Sequence, residues 1–325
     1  MRYARGDCVR DRYDICAFLG EGSSAEVYRA EDRTTGRDVV LKLPRLTVAG
    51  DLVAYKRYRA EIDILAGLHG AGLQQLLSGP SEPFMVLEYV EGESLRTYLR
   101  RCGPLPVDQV VAIGLQLAAT LEYVHEQGVI HRDIKPENVL IGAAGQVTLT
   151  DFGIAMRLTS RRFALSHLSN AVGTPDYMAP EQVRGARGDA RTDVYSLGVL
   201  LYELLTGAVP YPADARVEHH GARTDPPLVR SGRPDAPEFL EAILYRALRR
   251  RPAERYASMA AVGADLSNPD SVSVANRYER DEPPPAPPGD LPPWSTTLRI
   301  LALVAGVLLV VGFAAQTLHR GLASP

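Results

Sequence analysis

Along this chain of 325 residues the hydrophobic pattern changes character twice. Up to about residue 90, apolar residues come in short runs: Ile15, Ala17 and Leu19, then Val27, Tyr28 and Ala30, then Val39 to Leu41, then 84–87. Short alternating runs bounded by glycine and charge predict half-buried strands. One amphipathic segment, YRAEIDILAGL (58–68), interrupts them and predicts a helix that carries Glu61. Farther on, the apolar positions spread over helix-length segments such as DVYSLGVLLYELLTG (193–207). Near residue 270 the pattern stops, and SNPDSVSVANRYERDEPPPAPPGDLPPW (267–294) is dense in proline, charge and small polar residues. Such a stretch cannot bury a core and reads as a linker. Its PPPAPP segment is expected to be a polyproline II spacer, with docking into an aromatic-lined groove as the alternative. Beyond it, ILALVAGVLLVVGFAA (300–315) carries no charge, and Gln316, Thr317 and Leu318 extend it toward the ~20 helical residues that span a bilayer. It is apolar on every face and follows a linker, which predicts a transmembrane helix rather than a core helix.

Composition narrows the function classes. The 46% hydrophobic content is enough for a sizeable core, and 36 basic against 39 acidic residues leave a net charge of −3. No global cationic field is present to attract nucleic acid, so no nucleic-acid partner is expected. The three cysteines, Cys8, Cys16 and Cys102, match no metal-ligand spacing, and the first residues lack a signal-peptide apolar run. Reduced thiols in a cytosolic domain are expected. The sequence shows no internal repeat of 20 to 50 residues.

Three segments carry chemistry. In LGEGSSAEVYRA (19–30), Gly20 and Gly22 sit between two predicted strands. Backbone without Cβ atoms can fold over phosphates, whereas a dinucleotide fingerprint needs a helix after the turn; alone, the segment reads equally as a plain hairpin turn. The next strand, DVVLK (38–42), ends in Lys42 among apolar neighbours, a lysine suited to phosphate oxygens if a carboxylate such as Glu61 holds it, or else an unrelated surface charge. The decisive segment is HRDIKPENVL (131–140), followed by TDFG (150–153). Phosphoryl transfer needs a carboxylate to orient the attacking hydroxyl, oxygen ligands for magnesium and cations to offset phosphate charge. Asp133, Asn138, Asp151 and Lys135 offer that set.

Read with GTPDYMAPEQ (173–182) and 193–207, these motifs make the chain resemble the eukaryotic-type Ser/Thr protein kinases, most of all the membrane-anchored bacterial branch. The resemblance covers about 13–267 and implies an α+β fold of two lobes, a small β-rich N-lobe (13–88) and a larger helical C-lobe (92–267). Outside it lie a 1–12 extension and, by the patterns above, a linker (268–297), a transmembrane helix (298–318) and a tail (319–325). The resemblance further implies that Leu19, Gly20, Gly22, Val27 and Val40 enclose ATP, that Lys42 holds the α/β-phosphates with Glu61 as its partner, and that Glu88 to Val90 form the hinge that meets adenine, with Met85 at the gate behind. By the same resemblance Asp133 is the catalytic base, Lys135 stabilises the γ-phosphate, and Asn138 and Asp151 hold Mg²⁺, with Mn²⁺ as a substitute. Thr174 supports the substrate loop, Glu181 pairs with Arg255, and Asp193 supports the catalytic loop.

The chain departs from the family pattern at Ala25, which replaces the third loop glycine, and at Val40, which replaces the usual alanine and adds bulk above adenine. An altered nucleotide affinity is expected rather than inactivity. Kinases of this pattern use the arginine corresponding to Arg132 to bind an activation-segment phosphate, for which Thr159, Ser160, Ser166 and Ser169 are candidates, Ser166 and Ser169 lying nearest the positions the family phosphorylates. ATP and magnesium are cytosolic, so the kinase domain is expected on the cytoplasmic side, leaving a tail too short to fold around a ligand on the other. Ala302 and Gly306 could let two such helices pair, and a homodimer during activation is one expected partner, beside ATP, protein substrates and the membrane. A pseudokinase that binds ATP without transferring phosphate, and a small-molecule phosphotransferase, are the competing readings.

Overall fold

A computed structural model describes residues 2–21, 25–45, 52–78, 83–157, 175–211 and 226–274. Gly22, Thr159, Ser160, Ser166, Ser169, Thr174, residues 275–297 of the expected linker and the 298–318 span lie outside the described residues; residues 268–274 are described, and Val272 packs against the main core, so the folded domain runs past the expected boundary at 267.

The first lobe is a five-stranded antiparallel sheet in sequential order: β1 (Cys8–Val9), β2 (Tyr13–Glu21), β3 (Ala25–Asp32), β4 (Arg37–Pro44) and β5 (Met85–Glu88). Alternation sorts its side chains onto two faces. Val9, Tyr13, Ile15, Tyr28, Val39, Leu41, Phe84 and Val86 form an outer cluster, while Val40, Met85 and Leu87 turn inward to the main core. Val9 is buried there, so the 1–12 segment, expected as an extension, adds a strand to the sheet. The β3–β4 turn is built by Asp32, which accepts the Thr34 N–H and receives Arg12 at 2.8 and 2.9 Å, and by Gly36, whose φ of +66° favours a residue without Cβ. Helix α1 (Leu52–Leu65) follows β4, and its Tyr58, Ile62 and Leu65 join the inward-facing core.

The second lobe is mainly helical. After β6 (Glu93–Ser94), α2 (Leu95–Cys102) starts on the Ser94 side chain, which accepts the Thr97 N–H. Helix α3 (Val107–Glu126) buries Val110, Ile113, Leu117, Leu121 and Val124, a 3.6-residue stripe, against α4 (Ala190–Thr206) and α6 (Met259–Ser267). Among the described residues, α3 is the one helix long and apolar enough to cross a membrane, and it is a core helix here. Asp189 caps the start of α4 and left-handed Gly207 ends it; α5 (Glu238–Ala247) packs against its side. Short strands β7 (Val129–Ile130), β8 (Val139–Ile141) and β9 (Val147–Leu149) frame the segment that carries the polar residues, and β10 (Met156–Arg157) pairs with β7. The three cysteines are free thiols.

Candidate active site

Lys42 lies on the inward face of β4, in register with Met85, while Val40 is in register with Leu87. Leu87, one residue before the expected hinge, is therefore the side chain beside Val40; Met85 is fully buried opposite Lys42. The Lys42 Nζ is 2.6 Å from Glu61 Oε1 on α1 and 3.0 Å from Asp151 Oδ1, which joins the two lobes through one ammonium. Burial alone would disfavour the charge on Lys42, but the two carboxylates outweigh it and hold the ammonium above its ordinary pKa. Tyr58 Oη donates to the Lys42 carbonyl at 3.0 Å and fixes the same stretch of backbone. Asp151 is drawn down to about 2, chiefly by Lys42 and further by the Gly153 N–H.

The 131–138 loop is knit by its own polar groups. Asp133 Oδ2 is 2.7 Å from Lys135 Nζ and accepts Asn138 Nδ2 at 2.9 Å; the same amide nitrogen donates to the Asp133 carbonyl at 2.8 Å. A carbonyl only accepts, so these bonds fix which end of Asn138 is nitrogen and leave Oδ1 as the remaining acceptor. The Asn138 carbonyl takes both the N–H and the Oγ1 of Thr150, which ties this loop to Asp151. His131 is buried, donates Nε2–H to the Thr150 carbonyl at 3.3 Å and accepts the Asp133 N–H on Nδ1. That pattern requires the neutral ring, and burial accordingly lowers its pKa. Its ring meets Phe152 edge-on at 4.6 Å.

Beneath the loop, fully buried Asp193 on α4 accepts the His131 and Arg132 N–H groups at 2.9 and 2.8 Å and pairs with His125 Nε2 at 2.7 Å. Burial would raise its pKa, yet the His125 bond and the backbone donors prevail and hold it low. The clamp also holds Arg132 at φ +69°, a backbone state that costs a non-glycine residue about 1–2 kcal/mol. Arg132 is buried, and its Nε has no hydrogen-bond partner among the described residues. Glu181 meets Arg255 through two bonds of 2.8 and 2.9 Å, as the resemblance implied.

The oxygen donors suit a hard cation. One carboxylate (Asp151) and one amide oxygen (Asn138) match the way magnesium is held by few protein ligands plus substrate phosphates. Consistently, the described residues contain no all-protein cluster of three or more His, Cys, Asp or Glu. At the glycine-rich turn, a Cβ on Gly20 would meet nothing within 4 Å, so space lies open beside it. Leu19 is exposed and Val27 partly buried against the core. At the hinge, the Glu88 carbonyl already accepts Gln74 Nε2 at 2.8 Å and its N–H reaches the Gln75 carbonyl, while Val90 makes no such bond among the described residues.

Sequence reasoning missed several of these residues. Arg96 of α2 binds Glu137 at 2.7 Å, Glu203 at 2.6 Å and Tyr177 Oη at 2.5 Å, and Tyr177 also bonds Glu203. His125, Gln74 and Tyr58 were likewise not foreseen. Their partners are between 14 and 107 residues away in the chain, and no local pattern marks them.

A β-rich lobe on a helical lobe, with a lysine, two aspartates and an asparagine at their junction, defines the protein kinase class. A family model described as the protein kinase domain matches residues 13–263, and the chain belongs to that family. It is 36% identical to serine/threonine-protein kinase PknB of Mycolicibacterium smegmatis over 87% of this chain and 48% of that protein. It is 32% identical to a probable serine/threonine-protein kinase of Clostridium perfringens over 85% of this chain and 41% of that one. The chain thus spans about half the length of the curated relatives it matches. Among solved structures it resembles the Mycobacterium tuberculosis PknI kinase domain, with a TM-score of 0.64, 27% identity and coverage of 82% of this chain and 99% of that one.

Proposed function

We propose that the protein transfers the γ-phosphoryl group of ATP to serine and threonine hydroxyls of protein substrates. The observation that carries this reading is the convergence of Lys42, Glu61 and Asp151 within 3.0 Å, beside a loop in which Lys135 and Asn138 both fasten Asp133. Lys42, oriented by Glu61, binds the α- and β-phosphates. Asp133 receives the acceptor hydroxyl's proton as its oxygen attacks the γ-phosphorus in line, and Lys135 offsets charge on the transferring group. Asn138 and Asp151 hold magnesium, which when bound neutralises phosphate charge. Leu19, Gly20, Gly22, Val27 and Val40 enclose the nucleotide, and Val90 offers its backbone edge at the hinge. The complete charged set argues against a pseudokinase.

Arg132 supports a second layer of the reading. A buried guanidinium with an unmatched Nε is a receptor for an anion, and a phosphate on the 158–174 segment, at Thr159, Ser166 or Ser169, supplies one. The apolar run at 298–318 supports a single-pass anchor with the kinase domain cytoplasmic.

The test is transfer of labelled γ-phosphate from Mg-ATP by the compact unit Met1–Glu279 beside its Asp133→Asn variant, with mass spectrometry locating the label. Label on Ser or Thr with the parent and none with the variant is the expected result. ATP binding by both without transfer by either would replace the enzyme with a binding module.

A further inference from the structure

We propose that the N-terminal segment is a strap on the nucleotide-covering hairpin and that Arg2 is a positioning residue for nucleotide binding; this rests on the reading of β2–β3 as that cover. The strap begins from an anchored base. β1 pairs with β2, the Gly6 N–H donates to the Ile15 carbonyl and the Ile15 N–H to the Asp7 carbonyl, both at 2.9 Å, and Val9 is buried in the outer cluster. From there the chain runs back across the outer face of the sheet toward the hairpin end. Tyr3 meets the Tyr28 ring edge-on at 6.0 Å, and its N–H donates to Tyr28 Oη at 3.3 Å. Tyr28 in turn meets Phe18 edge-on and donates to Glu26 at 2.6 Å.

The hairpin end needs such a device. Glu21 and Glu26 stand directly opposite each other on β2 and β3, where like charges repel. The ladder beneath them slips in register between Ile15 and Ala17 and again between Phe18 and Gly20, so strand pairing alone holds this end loosely. Arg2 sits against both carboxylates, 2.6 Å from Glu21 and 3.9 Å from Glu26, with its guanidinium 4.2 Å from the Phe18 ring centre. Arg45, beyond the end of β4, reaches the same Glu21 oxygen at 2.9 Å. The cover is thereby held by two cations, Arg2 and Arg45, at the same Glu21 oxygen, and Glu21 lies between the two loop glycines, Gly20 and Gly22.

Arg2 is half exposed, so its removal leaves the fold intact and changes the freedom of the cover. In the full chain, Arg2→Ala is expected to raise the KM for ATP about two- to fivefold with kcat unchanged, the scale of an exposed pair. Molar salt should narrow the difference in KM between parent and variant, since screening weakens both the Arg2 attraction and the carboxylate repulsion it offsets. Adding Glu21→Gln to Arg2→Ala should restore the parent KM by removing the repulsion. Without nucleotide, backbone hydrogen exchange over residues 18–28 should quicken in Arg2→Ala, a readout independent of catalysis. Equal exchange and equal KM in parent and variant would overturn the strap. Failure of both proteins to bind ATP, with exchange still quickened, would instead overturn the nucleotide reading and with it the positioning role of Arg2.

Discussion

Asp151 shows how one residue can be chemically ready and structurally important together. Its carboxylate sits at about 2 instead of the ordinary 3.8 because Lys42 stabilises the charged form. A depressed folded pKa means that the unfolded chain binds the proton first. Its contribution to stability is therefore complete above about pH 4 and is lost as pH falls toward about 2. Denaturant unfolding of Met1–Glu279 between pH 7 and pH 2.5 should show a steep acid limb, and Asp151→Asn should flatten it while leaving the neutral plateau lower. The charged site residues were legible because phosphoryl transfer restricts which side chains can do each task and in what order they fall. Arg2 and Arg96 were not, because nothing in a single sequence separates an arginine that bridges two carboxylates from one that only solvates the surface.

Among the elements, α4 is buried along nearly its whole length, from Thr192 to Leu205. A helix with no solvent face can position polar groups only by satisfying them, and Asp193 does so with two backbone donors and a histidine. Asp193→Asn keeps the shape but turns an NH₂ toward N–H donors. It should lower stability by about 1–3 kcal/mol and cut phosphate transfer more than nucleotide affinity, since the displaced backbone is that of His131 to Asp133. Thermal melts and a kcat-against-KM comparison would check this; unchanged kcat in a destabilised variant would confine Asp193 to folding. Sequence pattern located the long helices and the larger strands through their periodicity. The two-residue strand β1 escaped it, because alternation cannot be recognised over Cys8 and Val9 alone.

For the whole molecule, an ion pair between residues far apart in sequence joins the lobes: the Lys42–Asp151 bond spans 109 residues. That scale was legible only through the resemblance, since spacing along a chain does not report which distant charges meet. The proposed anchor also belongs here. The full chain should sediment with membranes and be released by detergent, whereas Met1–Glu279 should stay in the soluble fraction with phosphate transfer intact; fractionation with an activity assay reads both. A full chain that is soluble without detergent would remove the transmembrane reading and leave the kinase reading standing.

Helix α3 has a consequence for synthesis. Its apolar stripe is covered by α4 and α6, and α6 ends at Ser267, about 140 residues after α3 is complete. At roughly 5–20 residues per second, the ribosome leaves that stripe incompletely covered for about 7–28 seconds. During that interval the nascent chain displays a segment that meets the length and apolarity criteria of a membrane helix, well before the proposed anchor at 298–318 emerges. With 298–318 as the proposed anchor, targeting depends on timing: whatever reads hydrophobic segments must pass over the first and accept the second.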